Sequence, residues 1–342
     1  MRMMTQLAFA ALAAGLAVGA CGQVSAQEYG DRSAPQPASA SLPREVVEAA
    51  SAYQMFVERA GAIDAHFADG EAIRTAMVTA EMWQPEQLGQ GALAYAALLA
   101  MQDPGFVGGV RRAAASPAGA ETLIRALEAD PRQAAAIEGA DAAALRINTV
   151  LTTQAERLAE TGRKVKQSAY DIQHQAWSRQ TVPDGAQRLA LAKQLADLPV
   201  KPTADDVAHL FQVATSPPSY AGAPTSAPPG YTPVVQKALT LAALAILGRA
   251  DRGELESAGL LRMRGGGGDC MTMARLNLYQ CLAVAGPHYE DIFCMGEHAL
   301  KETGQCLREG AGGGARIASA IPTRADGDAY AVPAAYASQT PR

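Results

Sequence analysis

Residues 269–307 read DCMTMARLNLYQCLAVAGPHYEDIFCMGEHALKETGQCL, and this stretch decides how the last part of the chain folds. Gly286 and Pro287 interrupt it between two segments of helix-forming composition. We expect a first helix over residues 270–285 and a second over residues 288–303. The stretch therefore predicts a helical hairpin with a short turn.

Four of the five cysteines of the chain lie in this hairpin. Counted outward from the turn, Cys281 and Cys294 lie at similar heights, and Cys270 and Cys306 lie at similar heights further out. Of the three connectivities that four cysteines allow, geometry favours the nested pairs Cys281–Cys294 and Cys270–Cys306. In a continuous helix Cys306 would lie about a third of a turn away from Cys294, so Gly304 is expected to let it turn back.

A zinc site is the competing interpretation of these cysteines. Cys270 and Cys281 are separated by about 16 Å of helical rise, whereas zinc needs each sulfur at about 2.3 Å. The chain has no Cys-x-x-Cys pair, which also argues against thioredoxin-like redox chemistry. Two structural disulfides, and hence an oxidising compartment, are the stronger prediction.

The N-terminus has the features of an export signal over residues 1–26. Arg2 precedes an apolar run from Leu7 to Ala20 that is too short to span a bilayer comfortably. Cleavage after Ala26 would release a soluble protein, whereas a lipobox-like ending would leave Cys21 acylated. The sequence leaves both endings open. The predicted location is periplasmic or secreted, with an outer-membrane lipoprotein as the alternative.

Composition predicts an all-α fold. Hydrophobic residues make up 49% of the chain while aromatic residues make up only 5%, and alanine is abundant. Alanine favours helices and their close packing, so we expect a multi-helix bundle with one long central helix, plus the smaller C-terminal disulfide-stapled hairpin. The net charge of -5 gives no reason to expect a nucleic-acid partner. Any membrane association would come through the lipid anchor alone.

The chain is expected to divide at stretches rich in Pro, Gly and Ser. In order, the predicted parts are a signal peptide (1–26), a flexible tether (27–42), a helical domain (43–215), a Pro/Gly linker (216–232), a C-terminal helical subdomain with two disulfides (233–308) and a disordered tail (309–342). Within the first helical domain, Asp103-Pro104, Ser116-Pro117 and Asp130-Pro131 each predict a helix start.

The longest predicted helix runs from about residue 140 to 179 and carries a helix–helix interface. Large residues alternate with Ala or Gly at spacings of four and three along one stripe: Leu151, Ala155, Leu158, Gly162, Val165, Ala169, Ile172 and Ala176. This heptad pattern predicts a closely approached helical partner. The partner is expected within the same chain, with self-association as the alternative.

Two C-terminal segments, Ala274–Ala285 and Pro287–Asp291, resemble the C-terminal signature of uncharacterised exported all-helical proteins of alphaproteobacteria with a four-cysteine block. Gly91–Tyr95 and Asp103–Val107 are similar to the same pattern. The resemblance covers most of the mature chain. It implies export and an all-helical fold, and it implies no activity.

Few residues suggest chemistry directly. His288, Glu290, Asp291 and His298 gather near the hairpin turn and form a weak candidate metal site. Acidic residues in a first helical turn also complement the helix dipole, so no metal and no cofactor are expected. Neither a Gly-x-Ser-x-Gly nor a His-Glu-x-x-His motif occurs, and no catalytic residue is predicted.

Three functions remain open on sequence grounds. The favoured hypothesis is a non-catalytic cell-envelope protein that binds or scaffolds a protein or an envelope polymer through its helix faces. The first alternative is a cell-wall hydrolase with scattered carboxylates, which a cleft with two facing carboxylates, one of them buried, would favour. The second alternative is a periplasmic ligand or metal carrier. The exposed cluster Arg163, Lys164 and Lys166 could meet an anionic polymer, although such charges usually form a solvated face.

Overall fold

The computed structural model of this chain describes residues 42–215, 230–257, 259–260 and 267–312. Within these ranges the protein is helical and forms no β-strand beyond an isolated bridge between Thr181 and Pro287. The all-α prediction is therefore confirmed. The signal peptide with Cys21, almost all of the tether, most of the linker and the tail after Gly312 lie outside the described residues and stay predictions.

The helices follow one another with short connections. They are α1 (Arg44–Gly61), α2 (Gly70–Glu81), α3 (Pro85–Met101), α4 (Pro104–Ala113), α5 (Pro117–Ala129), a 3₁₀ turn (Pro131–Ala136), α6 (Ala140–Ile172), α7 (Gly185–Asp197), α8 (Ala204–Thr215), α9 (Pro233–Ile246), α10 (Arg252–Ser257), α11 (Gly267–Val284), α12 (His288–Cys294), a π-helix (Met295–Glu302) and α13 (Thr303–Gly310).

The helix starts follow the capping signals in the sequence. The side chains of Asp69, Asp103, Ser116, Asp130 and Thr232 each accept a hydrogen bond from a backbone N–H of the turn that follows. Proline occupies an early position after four of these caps, where its missing N–H costs nothing. The three predicted Asp-Pro and Ser-Pro starts therefore all begin helical segments.

Helix α6 is the long central helix, but it ends at Ile172 rather than near residue 179. The Ser178 hydroxyl donates to the carbonyl oxygens of Ile172 and Gln175, and it thereby satisfies acceptors at the end of the helix. The predicted stripe is buried from Leu151 through Ala169 and only partly buried at Ile172. Ala176 lies beyond the helix and is exposed, so its place in the stripe was wrong.

The stripe of α6 packs against the second arm of the hairpin, residues 288–310, which we call the C-terminal arm. A Cβ atom added at Gly162 would lie 2.5 Å from the backbone nitrogen of Lys301 and 2.6 Å from the carbonyl oxygen of Gly296. One added at Gly304 would lie 2.7 Å from the carbonyl oxygen of Ala155. The two backbones therefore touch at positions where only glycine fits. We call this contact between the α6 stripe and the C-terminal arm the seam, and its partner lies within the same chain.

The hairpin contains both disulfides with nested connectivity. Cys281 pairs with Cys294 and Cys270 pairs with Cys306, and the Cα atoms are 5.6 Å apart in each pair. On the chain-entropy model each bond stabilises the fold by about 3 to 4 kcal/mol. These bonds indicate an oxidising environment outside the cytoplasm.

The second arm of the hairpin departs from the sequence prediction. It passes Gly304 without ending and continues to Gly310, so Gly304 is a packing position and not a helix stop. The rotation that returns Cys306 to the face of Cys294 comes from the π-helix Met295–Glu302 between them. Its i to i+5 hydrogen bonds place more residues in each turn than an α-helix has, so the same residues rotate less about the axis.

One hydrophobic core joins the helices on both sides of the predicted linker. It includes Tyr95 of α3, Leu158 of α6, Leu241 of α9 and Leu300 of the π-helix, none more than 1% exposed. The two predicted helical parts therefore pack together in the described residues. No helix among these residues is both long and apolar enough to cross a membrane.

Candidate functional site

A cleft of about 590 Å³ opens between α2, α7 and the start of α12. Its lining residues are Gly70, Glu71, Ile73, Arg74, Met77, Val78, Glu81, Val182, Pro183, Asp184, Gln187, Arg188, Leu191, His288 and Asp291. The volume lies in the range of small-molecule sites. The lining combines apolar side chains with six acidic or basic ones and His288.

Backbone hydrogen bonds fix the cleft wall to the hairpin turn. The Val182 nitrogen donates to the carbonyl of Gly286 at 2.8 Å, and the Tyr289 nitrogen donates to the carbonyl of Ser178 at 3.2 Å. Asp184 then turns the chain into α7 with φ of 56°, the left-handed region. The start of α7 and the start of α12 are therefore held side by side, and the Cys281–Cys294 bond joins the end of α12 to α11.

Arg188 of α7 ties three parts of the site together. Its Nη1 donates to Asp291 Oδ1 at 2.5 Å, and its Nη2 donates to the carbonyl oxygens of Leu282 and Ala285 at 2.7 and 3.1 Å. Leu282 is in the last turn of α11 and Ala285 directly follows the helix, where free carbonyls need a donor. The Arg188 Nε is buried and has no hydrogen-bond partner.

Glu81, the last residue of α2, is the most unusual side chain in the cleft. It is only 2% exposed, and its Oε1 atom has no hydrogen-bond partner. Burial raises the pKa of Glu81 to about 8, and the neighbouring Asp291 raises it as well, while Arg275 and Arg188 act in the opposite direction. At neutral pH the Glu81 carboxyl therefore stays mainly protonated.

Asp291 differs from Glu81 although both carboxyl groups are buried. Burial raises the pKa of Asp291 to about 6, while the Arg188 guanidinium bonded to it favours the charged form. At neutral pH Asp291 is therefore ionised and Glu81 is not. The cleft holds two carboxyl groups in opposite protonation states, which is the arrangement that separates an acid from a base in many enzymes.

Arg275 of α11 holds the end of α2 from behind the cleft. Its Nη2 donates to the carbonyl oxygens of Glu81 and Trp83 at 3.0 and 2.6 Å. The guanidinium carbon also lies 4.0 Å from the centre of the Trp83 ring, a cation–π contact. Burial lowers the pKa of Arg275, but an arginine remains charged in proteins. It therefore adds a second buried positive charge near Glu81.

His288 closes one side of the cleft. A Cβ atom added at Gly70 would lie 2.5 Å from the His288 ring, so the glycine at the start of α2 leaves room for the imidazole. Trp177 packs against the other side, with ring centroids 6.3 Å apart. Burial and then the nearby Arg188 lower the pKa of His288, so the ring is uncharged at neutral pH.

The four candidate metal ligands do not come together. His288 and Asp291 line the cleft, but Glu290 Oε2 accepts from the backbone nitrogen of Gly286 at 2.7 Å. His298 Nδ1 lies 3.0 Å from Glu302 Oε1, on the π-helix. Among the described residues no group of three or more His, Cys, Asp or Glu side chains could hold a metal ion. The four side chains do not form one site because Glu290, Asp291 and His298 each bond to a different partner.

The basic cluster of α6 is partly neutralised. Arg163 pairs with Glu160 at 2.6 Å, and Lys166 pairs with Glu297 at 2.9 Å while also lying 5.0 Å from the Phe293 ring centre. These contacts tie the cluster to α6 itself and to the C-terminal arm. A docking role for an anionic polymer at this face stays a prediction.

Sequence reasoning missed the two central residues of the cleft, Glu81 and Arg188. One signal was available in α2, where Ile73, Met77 and Glu81 recur at spacings of four and so lie on one face. A carboxylate in a buried apolar stripe is rare unless it has a partner or a function. Nothing in the local sequence of α7 marks Arg188, because its partners lie about a hundred residues further along.

Comparison with models of known protein families, with curated proteins and with solved structures gave no match to this chain. The resemblance to exported alphaproteobacterial proteins stays a prediction. A functional conclusion therefore depends on the geometry of the cleft itself.

Proposed function

We propose that this protein is a non-catalytic binding protein of the cell envelope and that the cleft between α2, α7 and α12 is its binding site. The observation that carries the proposal is the Glu81 carboxyl, which lines the cleft almost completely buried and leaves Oε1 without a partner. A buried polar group normally has a hydrogen-bond partner, so a bound ligand that supplies one explains this carboxyl.

Several features support a location in the envelope. The two disulfides fit an oxidising compartment, and the N-terminal sequence has the features of an export signal. We propose periplasmic or secreted protein after cleavage behind Ala26, with lipidation at Cys21 as the alternative. Mass spectrometry of the mature N-terminus distinguishes the two, because an acylated cysteine and a Gln27 start differ in mass.

The binding proposal can be tested by ¹⁵N NMR of the mature protein with a cocktail of anionic, cationic and neutral amphiphilic fragments. We expect shifts clustered at the amides of α2, α7 and α12. A Val78→Trp variant fills the cleft and should abolish those shifts. The matched control Thr75→Trp lies exposed on the same helix outside the cleft lining and should keep them. The proposal would be contradicted if the same shifts appeared in Val78→Trp, or if the wild type showed no shifts at the residues that line the cleft.

A cell-wall hydrolase is the second candidate, favoured by the pairing of a protonated Glu81 with an ionised Asp291 in one cleft. In that role Glu81 would act as general acid and Asp291 as the charged partner. Purified peptidoglycan provides the assay. The hydrolase hypothesis expects soluble fragments from wild-type protein and none from Glu81→Gln, whereas no release by either protein would rule it out.

A further inference from the structure

Two buried polar groups in the cleft lack the same kind of partner. Arg188 Nε carries a hydrogen that no acceptor receives, and the Glu81 carboxyl, when protonated, carries another. An arginine nitrogen can only donate, and a neutral carboxyl donates through its O–H. Both groups could therefore donate to an acceptor oxygen of a ligand. A carboxylate offers two such oxygens on one carbon.

The charges at this end of the cleft also favour an anion. Two guanidinium groups, Arg188 from α7 and Arg275 from α11, face one ionised carboxylate, Asp291 from α12. Glu81 is mainly neutral at pH 7 and His288 is uncharged, so one positive charge remains among the groups nearest Glu81. The rest of the lining adds the exposed Arg74–Glu71 pair and the acidic Asp184 at the start of α7. A bound carboxylate would balance it, and a bound ammonium would add to it.

The remaining lining is mostly apolar. Ile73, Met77 and Val78 of α2 face Val182 and Leu191 along the cleft. Leu191 is 37% exposed although it is a large hydrophobic residue, so part of the wall is open to solvent when nothing occupies the cleft. A volume of about 590 Å³ can accept a chain of small-molecule size along this wall.

We propose that the cleft binds an amphipathic monocarboxylate, with the carboxylate held between Glu81 and Arg188 and the apolar chain lying between α2 and α7. This inference rests on the proposed binding function and names the chemical class of its ligand. Because Glu81 donates only while protonated, binding should weaken as pH rises above neutral. The charged or titratable groups that face Glu81 are Arg275 and Tyr279 of α11, Arg188 of α7, and Asp291 and His288 of α12, while Glu71 and Arg74 form an exposed pair on α2 itself. Burial raises the pKa of Tyr279, and none of these groups needs to change charge between pH 7 and 9 for this effect.

The test uses the mature protein and three ten-carbon probes: sodium decanoate and decylammonium chloride below their micelle concentrations, and decan-1-ol below its solubility limit. Binding is followed by ¹⁵N NMR and calorimetry at pH 7 and pH 9. We expect decanoate to bind in the cleft at least tenfold more tightly than decylammonium at pH 7. Its affinity should fall about tenfold by pH 9, as the Glu81 proton is lost.

Glu81→Gln gives the sharpest control, since its amide is neutral and can donate at every pH. We expect it to bind decanoate at pH 7 and to lose the pH dependence, while Glu121→Gln on the exposed face of α5 behaves as wild type. Equal or tighter binding of decylammonium or decan-1-ol in the cleft would overturn the carboxylate inference and leave the binding function standing.

Two further results would also count against the inference. A pH dependence that persists in Glu81→Gln would show that another group controls binding. Absence of all three probes from the cleft would overturn the carboxylate inference, and only a failure of the fragment cocktail would overturn the proposed function as well.

Discussion

The C-terminal hairpin takes part in two regions of different character. One is the seam with α6, and the other is the cleft between α2, α7 and α12. In the seam, Gly162 and Gly296 bring two backbones into contact, Leu158 and Val165 are buried on the same stripe, and Lys166 pairs with Glu297 across it. In the cleft, Glu81 and Arg188 are buried and each keeps an unpaired polar atom. The seam is closely packed and the charged side chains beside it form ion pairs, whereas the cleft leaves an open volume and a buried carboxyl oxygen without a partner.

This difference indicates which parts of the chain serve stability and which serve binding. Close packing without voids is what a core needs, and unpaired buried polar groups destabilise a fold unless a ligand or a function compensates them. The disulfides belong to the stabilising side. Cys281–Cys294 holds the arm that carries Asp291 and His288, so the cysteines contribute to the site by positioning it.

The largest expected effect comes from breaking the buried ion pair of the cleft. Arg188→Met leaves Asp291 buried without its partner, so we expect a loss of about 3 to 5 kcal/mol in the free energy of unfolding at pH 7. The loss should shrink as pH falls from 7 towards 6, because Arg188 lowers the pKa of Asp291 and the variant without it takes up the proton at a higher pH than the wild type. Arg74→Met breaks an exposed pair that solvent screens, so its loss should be much smaller. Urea unfolding measures both, and equal losses would contradict the account.

The seam is broken most directly by a methyl group. Gly162→Ala places a Cβ against backbone atoms of the C-terminal arm that cannot move independently, so we expect a loss of about 2 to 3 kcal/mol by urea unfolding. At Gly286 an added Cβ meets no atom within 4 Å, and Gly286→Ala is the matched control with little expected change. If Gly162→Ala were as stable as the control, the close approach of the two helices would be wrong.

The smallest expected effect is a pH dependence of the free energy of unfolding that comes from Glu81 in the cleft and has no counterpart in the seam. The folded-state pKa of Glu81 is about 8 and the unfolded value is about 4.3, so the folded protein holds this proton more tightly. The resulting stability is complete below pH 4 and is lost as pH rises towards 8. Between pH 6 and pH 8 wild type should lose about 2 kcal/mol relative to Glu81→Gln. A constant difference between the two proteins across this range would contradict the assigned environment of Glu81.

Sequence patterns predicted the fold in the places where the signal is local. The Asp-Pro and Ser-Pro starts, the small-residue stripe of α6 and the hairpin turn each follow from residues within one or two helical turns. The end of α6 at Ile172 was not predictable in this way. It depends on Ser178 and on the pairing of the following segment with the hairpin turn, more than a hundred residues away.

The candidate site shows the same limit more strongly. Glu81 is buried because Arg275 and Asp291 pack near it from parts of the chain about two hundred residues later. Its position in the apolar stripe of α2 was a local sign, but its protonation state depends on those distant charges. The cysteine spacing, by contrast, predicted the disulfide connectivity correctly. The π-helix that brings Cys306 back towards Cys270 was not predicted.

The measurement that tests the central claim most directly is an NMR titration of the Glu81 side-chain carboxyl carbon in the mature protein. Glu81→Gln identifies the signal by its absence. The account predicts a midpoint near pH 8, because burial without a hydrogen-bond partner for Oε1 disfavours the charged form. A midpoint near the ordinary glutamate value of about 4.3 would contradict it, since Glu81 would then be a charged group in ordinary contact with solvent or a cation.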